Sequence, residues 1–163
     1  MNKEIQIMTL GRNRNIVDTN KWIAQVDVSH QFHIIERLKR GDEREGVVAL
    51  PLIEEQIKHK IIGYKYQDIK KGLFCDTSFV CLMDVYSKLI ESQYQCYYCK
   101  EYVHILYSKA REPKQWTLER LDNAFGHNRD NVVISCLHCN LCRKTMYHER
   151  FSFTKQMNLV KLE

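Results

Sequence analysis

Glycine and proline are scarce in this chain, six and two of 163 residues, and no internal repeat or low-complexity tract interrupts it. Long apolar runs are missing as well. The longest, Val47 to Ile53, is broken by Pro51 and is far too short to cross a bilayer, which excludes an integral membrane protein. The opening residues Met-Asn-Lys-Glu-Ile-Gln lack the apolar core of an export signal, so secretion is not expected. What is present is enough for an ordered interior: 44% apolar and 28% charged residues suit one compact domain or two small modules. Seven cysteines, an odd count without an export signal, point to metal ligation before disulfides. The expected compartment is reducing and intracellular.

The net charge is +5, unevenly spread. Residues 1–92 carry 14 Lys/Arg against 13 Asp/Glu, whereas residues 93–163 carry 11 against 7. The excess therefore sits in the smaller, cysteine-rich part. This is compatible with a polyanionic partner, but many solvated surfaces look the same.

Two regions are expected, 1–92 and 93–163. In the first, Glu4–Ile7 and Trp22–Val28 alternate in part with period two and read as strands. Gly41 to Gly46 reads as a charged loop. A long helix should start near Pro51 and end before Gly72, with Ile53, Ile57, Ile61 and Tyr64 at helical spacing and Gly63 bending or splitting it. Lys58 to Lys71 holds five lysines and one aspartate. That is either a solvated face or a phosphate-contacting arm using Lys65, Lys70 and Lys71. A second helix is expected from about Ser78 to Glu91, capped by Asp76 or Thr77 and carrying the stripe Phe79, Leu82, Met83, Tyr86, Leu89, Ile90. Cys75 and Cys81 are expected to pack in the core.

From Gln93 onward the residues carry chemistry. Cys96/Cys99 and Cys136/Cys139 are two C-x2-C pairs separated by 36 residues. Each gap lets two thiolates of one tight turn face a single ion, and two such knuckles supply a tetrahedral zinc site. Cys142 is expected to pack. His104 and His138 are alternative ligands only if a cysteine is not used. Between the knuckles, residues 116–121 and 131–135 read as short strands joined by a polar loop around Gly126. A helix from about Leu137 would place Asn140, Arg143 and Lys144 on one face.

The ordered string C-x2-C, Glu119-Arg120, Asp122, Asn131 and C-x2-C-Asn140 resembles the HNH endonucleases. Specifically, it is similar to their zinc-stapled ββα-metal branch, in the variant where Asp-Arg-Ile-Asp replaces the usual Asp-His. The resemblance covers Gln93 to about Phe151, and similar chains occur in large DNA viruses and phages. It implies an α+β chain: a C-terminal zinc-stapled ββα-metal module behind a mixed, largely helical N-terminal region that selects the target or a homodimer partner. It also implies an endonuclease that hydrolyses or nicks DNA with structural Zn²⁺ and catalytic Mg²⁺ or Mn²⁺, working in the cytoplasm or nucleus of a host cell if viral.

By position, Asn140 would be a metal ligand, with Glu119 or Asp122 as the anionic one. Arg143 and Lys144 would hold phosphate oxygens, and Asn131 would fix the loop. Arg120 stands where the family has its histidine base; a guanidinium cannot take a proton, though it can clamp a phosphate. Three explanations stay open: His127 serves as base, metal-bound hydroxide or solvent suffices, or the site is weak or dead. His148 reads as a surface residue. The alternative function is an inactive HNH-fold zinc module that binds DNA without cutting it.

Overall fold

The computed structural model describes residues 28–42, 49–107 and 111–157. Among them the chain is mixed α+β, with five helices and a two-stranded antiparallel sheet. The elements run α1 (Val28–Arg40), α2 (Ala49–Lys71), α3 (Leu82–Glu91), β1 (Trp116–Arg120), β2 (Val132–Cys136), α4 (Leu137–Arg143) and α5 (His148–Gln156). No helix of the described residues is long and apolar enough to cross a membrane.

Helix α1 was not expected. Its inner face carries Gln31, Ile34 and Ile35, while Arg37, Lys39 and Arg40 in the last turn complement the helix dipole. Gly41 then ends it at φ +74°, a left-handed conformation open to glycine, where its N–H reaches the Leu38 carbonyl. The expected strand Trp22–Val28 lies outside the described residues except for Val28, which opens this helix. The strand Glu4–Ile7 and most of the 41–46 loop also lie outside them.

Helix α2 matches the expected span closely and runs unbroken through Gly63. Leu50, Ile53 and Ile57 are fully buried, and Gly72 closes the helix at φ +68°. The next helix is shorter than expected. Residues 78–80 stay outside it: Ser78 ends a turn and Phe79 pairs with Asn128 of the loop after β1, where Val80 N–H donates to the His127 carbonyl and Arg129 N–H to the Ser78 carbonyl. Helix α3 therefore begins after Cys81, whose N–H is capped by the Asp84 carboxylate at 2.9 Å, and neither Asp76 nor Thr77 is the cap. Val85, Tyr86 and Leu89 are its buried face; Met83 is exposed.

Strands β1 and β2 pair from Trp116↔Cys136 to Arg120↔Val132, and α4 follows β2 directly, giving the strand–loop–strand–helix order. One core holds the molecule together. Ile34 and Ile35 of α1, Ile53 and Ile57 of α2, Leu89 of α3, Trp116 and Leu118 of β1 and Ile134 of β2 belong to a single buried cluster. It crosses the expected boundary at 92/93. Three polar side chains at helical spacing on α2 fasten that helix to the second half. Lys60 donates to the Trp116 carbonyl, the Tyr64 hydroxyl accepts from Leu118 N–H at 3.0 Å, and Asp68 engages His127. The first two serve backbone groups of β1 that β2 does not reach.

Candidate functional site

The knuckles meet as their spacing requires. The Sγ atoms of Cys96, Cys99, Cys136 and Cys139 lie within 4.8 Å of one another, and Cys99 and Cys136 are 3.9 Å apart. A tetrahedron with zinc–sulfur bonds of about 2.3 Å has sulfurs roughly 3.8 Å apart, so the cluster could hold a metal ion such as zinc. Its electrostatics favour a cation. A hydrogen bond from Cys136 holds the Cys96 thiol down at about 5, the same contact pushes Cys136 up, and burial raises Cys139 to about 12. Thiols this close cannot all ionise without compensating charge, which a dication supplies. His104 and His138 are not in the cluster. Cys75, Cys81 and Cys142 are exposed, contrary to the packing expected of all three. Cys142 lies on the outer side of the short α4, 3.7 Å from His138 Nε2.

A cavity of about 580 Å³ opens between α2, β1 and α4, lined by Lys60, Tyr64, Lys71, Thr117, Glu119, Arg120, His127, Asn140 and Lys144 among others. Several side chains that sequence spacing singled out thus share one space. Asn140 is oriented by Thr117. The Thr117 hydroxyl donates to the Ser135 carbonyl and accepts from Asn140 Nδ2 at 3.2 Å, which turns the amide oxygen the other way. His127 is buried, with Nδ1 2.8 Å from Asp68 Oδ1 and its own N–H 2.6 Å from Oδ2. The Tyr64 ring lies against the imidazole at 4.5 Å between centroids. Burial lowers the His127 pKa more than Asp68 raises it, with Arg120 and Lys71 adding to the lowering. Burial over the rings of Trp116 and Tyr107 lowers the Lys60 pKa to about 7.

Other candidates are placed differently. Arg143 is buried, not facing phosphate: Nε bonds Glu119, Nη1 the Met146 and Leu121 carbonyls, and Nη2 the Arg120 carbonyl and Asn123 Oδ1. All five guanidinium donors are therefore spent inside the protein. Glu119 consequently has one oxygen occupied, and burial pushes its carboxyl above the usual range against the pull of Arg143. Asp122 does not line the cavity but a separate hollow beside Thr145 and Tyr147. Its carboxylate accepts from Ala124 N–H at 2.8 Å, a turn-forming bond that explains its place.

Asn131 does brace the loop, bonding both backbone groups of Asp122 and the Gly126 carbonyl. Arg120 lines the cavity while Nη1 caps the Asn123 and Phe125 carbonyls. Lys144 is exposed at the α4 terminus, at φ 51° and so off the helix on which Asn140 sits. Of the three α2 lysines expected to contact phosphate, Lys71 lines the cavity, whereas Lys65 lies over the Phe74 ring and Lys70 is exposed outside it. His148 is half-buried beside Tyr147 and Tyr97 rather than at the surface.

Sequence reasoning missed Asp68. The only signal was its place as the lone acid among the α2 lysines, two helical turns beyond Lys60 and one beyond Tyr64. Comparison of the chain with known protein families, with curated proteins and with solved structures finds no match.

Proposed function

We propose that the chain is a metal-dependent endonuclease of the HNH type that hydrolyses DNA phosphodiester bonds. The observation that carries this reading is the single cavity whose lining brings Glu119, His127 and Asn140 together with Lys60, Lys71, Arg120 and Lys144. The strand–loop–strand–helix order beside a four-cysteine cluster suited to zinc supports the same reading.

The donors fit a hydrated Mg²⁺ or Mn²⁺, which takes one or two protein oxygens and keeps several waters. Glu119 and Asn140 would hold it: Glu119 has a carboxylate oxygen not taken by Arg143, and Thr117 leaves the Asn140 amide oxygen available. Asp122, outside the cavity, would not. Such an ion, when bound, neutralises charge on the phosphate and the departing 3′ oxygen. The protein supplies the rest. His127, with Nδ1 committed to Asp68, accepts the proton of the attacking water at Nε2. Arg120, Lys71 and Lys144 hold phosphate oxygens along the cavity rim. Binding through these cations weakens steeply as salt rises.

The test is nicking of supercoiled plasmid by the zinc-loaded chain, with and without Mg²⁺ or Mn²⁺, beside Asn140→Ala and His127→Ala. Metal-dependent nicking is expected, abolished in Asn140→Ala and lowered about 10²–10⁴-fold in His127→Ala, the usual worth of a general base. The lowered His127 pKa sets the sign of the pH dependence: the base stays unprotonated below the ordinary histidine value of about 6.5. The acid limb of the wild-type rate should therefore fall below that pH. Equal, faint cleavage by all three proteins would defeat the nuclease reading. Tight, salt-sensitive DNA binding without cutting would replace it with the inactive DNA-binding module, in which Arg120 has displaced the base without substitute.

A further inference from the structure

We propose that Asp68 is the positioning carboxylate of His127, fixing the proton on Nδ1 so that the lone pair of Nε2 faces the cavity. The inference rests on His127 as the base and adds that α2, outside the strand–loop–strand–helix unit, completes the reacting group.

Asp68 is wholly buried, and among the described residues no lysine or arginine pairs with it. Both of its oxygens serve one residue. Oδ2 accepts the backbone N–H of His127 and Oδ1 faces Nδ1. The backbone N–H can only donate, so Oδ2 is an acceptor and Oδ1 stands ready to accept the proton carried by Nδ1. Tyr64, one turn earlier on α2, lies against the imidazole and limits its rotation. The approach is close enough to need a glycine. A Cβ on Gly126 would stand 2.7 Å from Asp68 Oδ2 and 2.5 Å from the Leu73 carbonyl oxygen. Backbone, ring and carboxylate are thus set by one packing of α2 against the loop. A buried carboxylate so placed, with the other ring nitrogen turned to an open cavity, orients a base.

Asparagine at this position has a defined consequence. Its single oxygen must stay with the His127 N–H, which leaves its amino group facing Nδ1. The ring must then accept at Nδ1 and carry its proton on Nε2, the wrong tautomer for a base.

The experiment is long-range ¹H–¹⁵N correlation NMR of the imidazoles in the zinc-loaded full chain, at mildly alkaline pH where histidines are neutral. His127→Gln assigns the signal. The Nδ1–H tautomer is expected in the wild type, and a shift to Nε2–H in Asp68→Asn at unchanged zinc content and circular dichroism. Nicking by Asp68→Asn should fall on the order of 10²-fold, the scale of a lost general base. An Nε2–H tautomer in the wild type overturns the proposal even if Asp68→Asn does not fold. So does a folded Asp68→Asn that keeps the wild-type tautomer and rate. Gly126→Ala, which pushes the loop off an intact Asp68, should lose the tautomer preference too. If the wild type has the expected tautomer but never nicks DNA, the nuclease reading falls while the placement of Asp68 stands.

Discussion

Excess chelator is expected to abolish near-ultraviolet circular dichroism from Trp116, Tyr97 and Tyr98 and to leave the C-terminal half unfolded at room temperature. The four cysteines draw together the turn before Tyr102, the end of β2 and the first turn of α4, beside the bond from Tyr97 N–H to the Ile134 carbonyl. The strands they staple are only five residues each. Structural zinc in small domains contributes on the order of 10–16 kcal/mol at neutral pH, as much as the roughly 5–15 kcal/mol of net stability of a whole domain. The metal term dominates even though Trp116 and Ile134 also lean on α2 and α3 through the shared core. Because thiols must lose their protons to bind, the metal should be held less tightly as pH falls. Cys136→Ser should reproduce the chelator result, and Zn²⁺ should restore the wild type alone. Near-ultraviolet spectra unchanged by complete metal removal would show that the cluster is not a structural centre. Far-ultraviolet signal from α1, α2 and α3 should decline less than the near-ultraviolet signal, since Ile34, Ile35, Ile53, Ile57 and Leu89 pack on one another without the metal.

The sequence made some of this arrangement readable because the signals were local. Two-residue gaps between cysteines, a Gly72 stop after a periodic helix, and two short strands around a polar loop each act within a few residues of chain. Those elements fell close to where they were expected. The misses were tertiary. Residues 78–80 have helical-looking apolar spacing, but their backbone groups are claimed by the loop at 127–129, which no local pattern announces. Arg143 has the helical offset from Asn140 of a phosphate contact, yet the chain bends at Lys144 and folds the guanidinium under β1. Asp122 looked like a ligand because it is acidic and close to Glu119. Its carboxylate turned out to shape the loop. Asp68 is 59 residues from His127 along the chain, so only the packing of α2 could reveal the pair. Within the candidate site, residue types were legible and partners were not.

Arg143 gives the sharpest separation between a structural and a DNA-contacting role. Its guanidinium bonds one carboxylate, three backbone carbonyls and one amide oxygen, drawing together β1, the loop at Asn123 and the chain after α4. Truncation to alanine removes all five donors at once and strands Glu119 as a buried, unpaired acid. Breaking such a pair from one side costs about 3–5 kcal/mol, a large share of the stability of a chain this size. Urea unfolding of the zinc-loaded protein should show that loss, and Arg143→Lys should recover only part of it, since an ammonium offers three donors in place of a planar five. Much of the cost belongs to the abandoned carboxylate. It should therefore shrink when Arg143→Ala is made in a Glu119→Gln background, and the difference between the two backgrounds measures the coupling. A phosphate clamp predicts the opposite pattern: wild-type stability, no coupling to Glu119, and a weaker dependence of DNA binding on salt. With every donor already bound inside the fold, the expected outcome is instability first, and any loss of DNA binding only in proportion to the unfolded fraction.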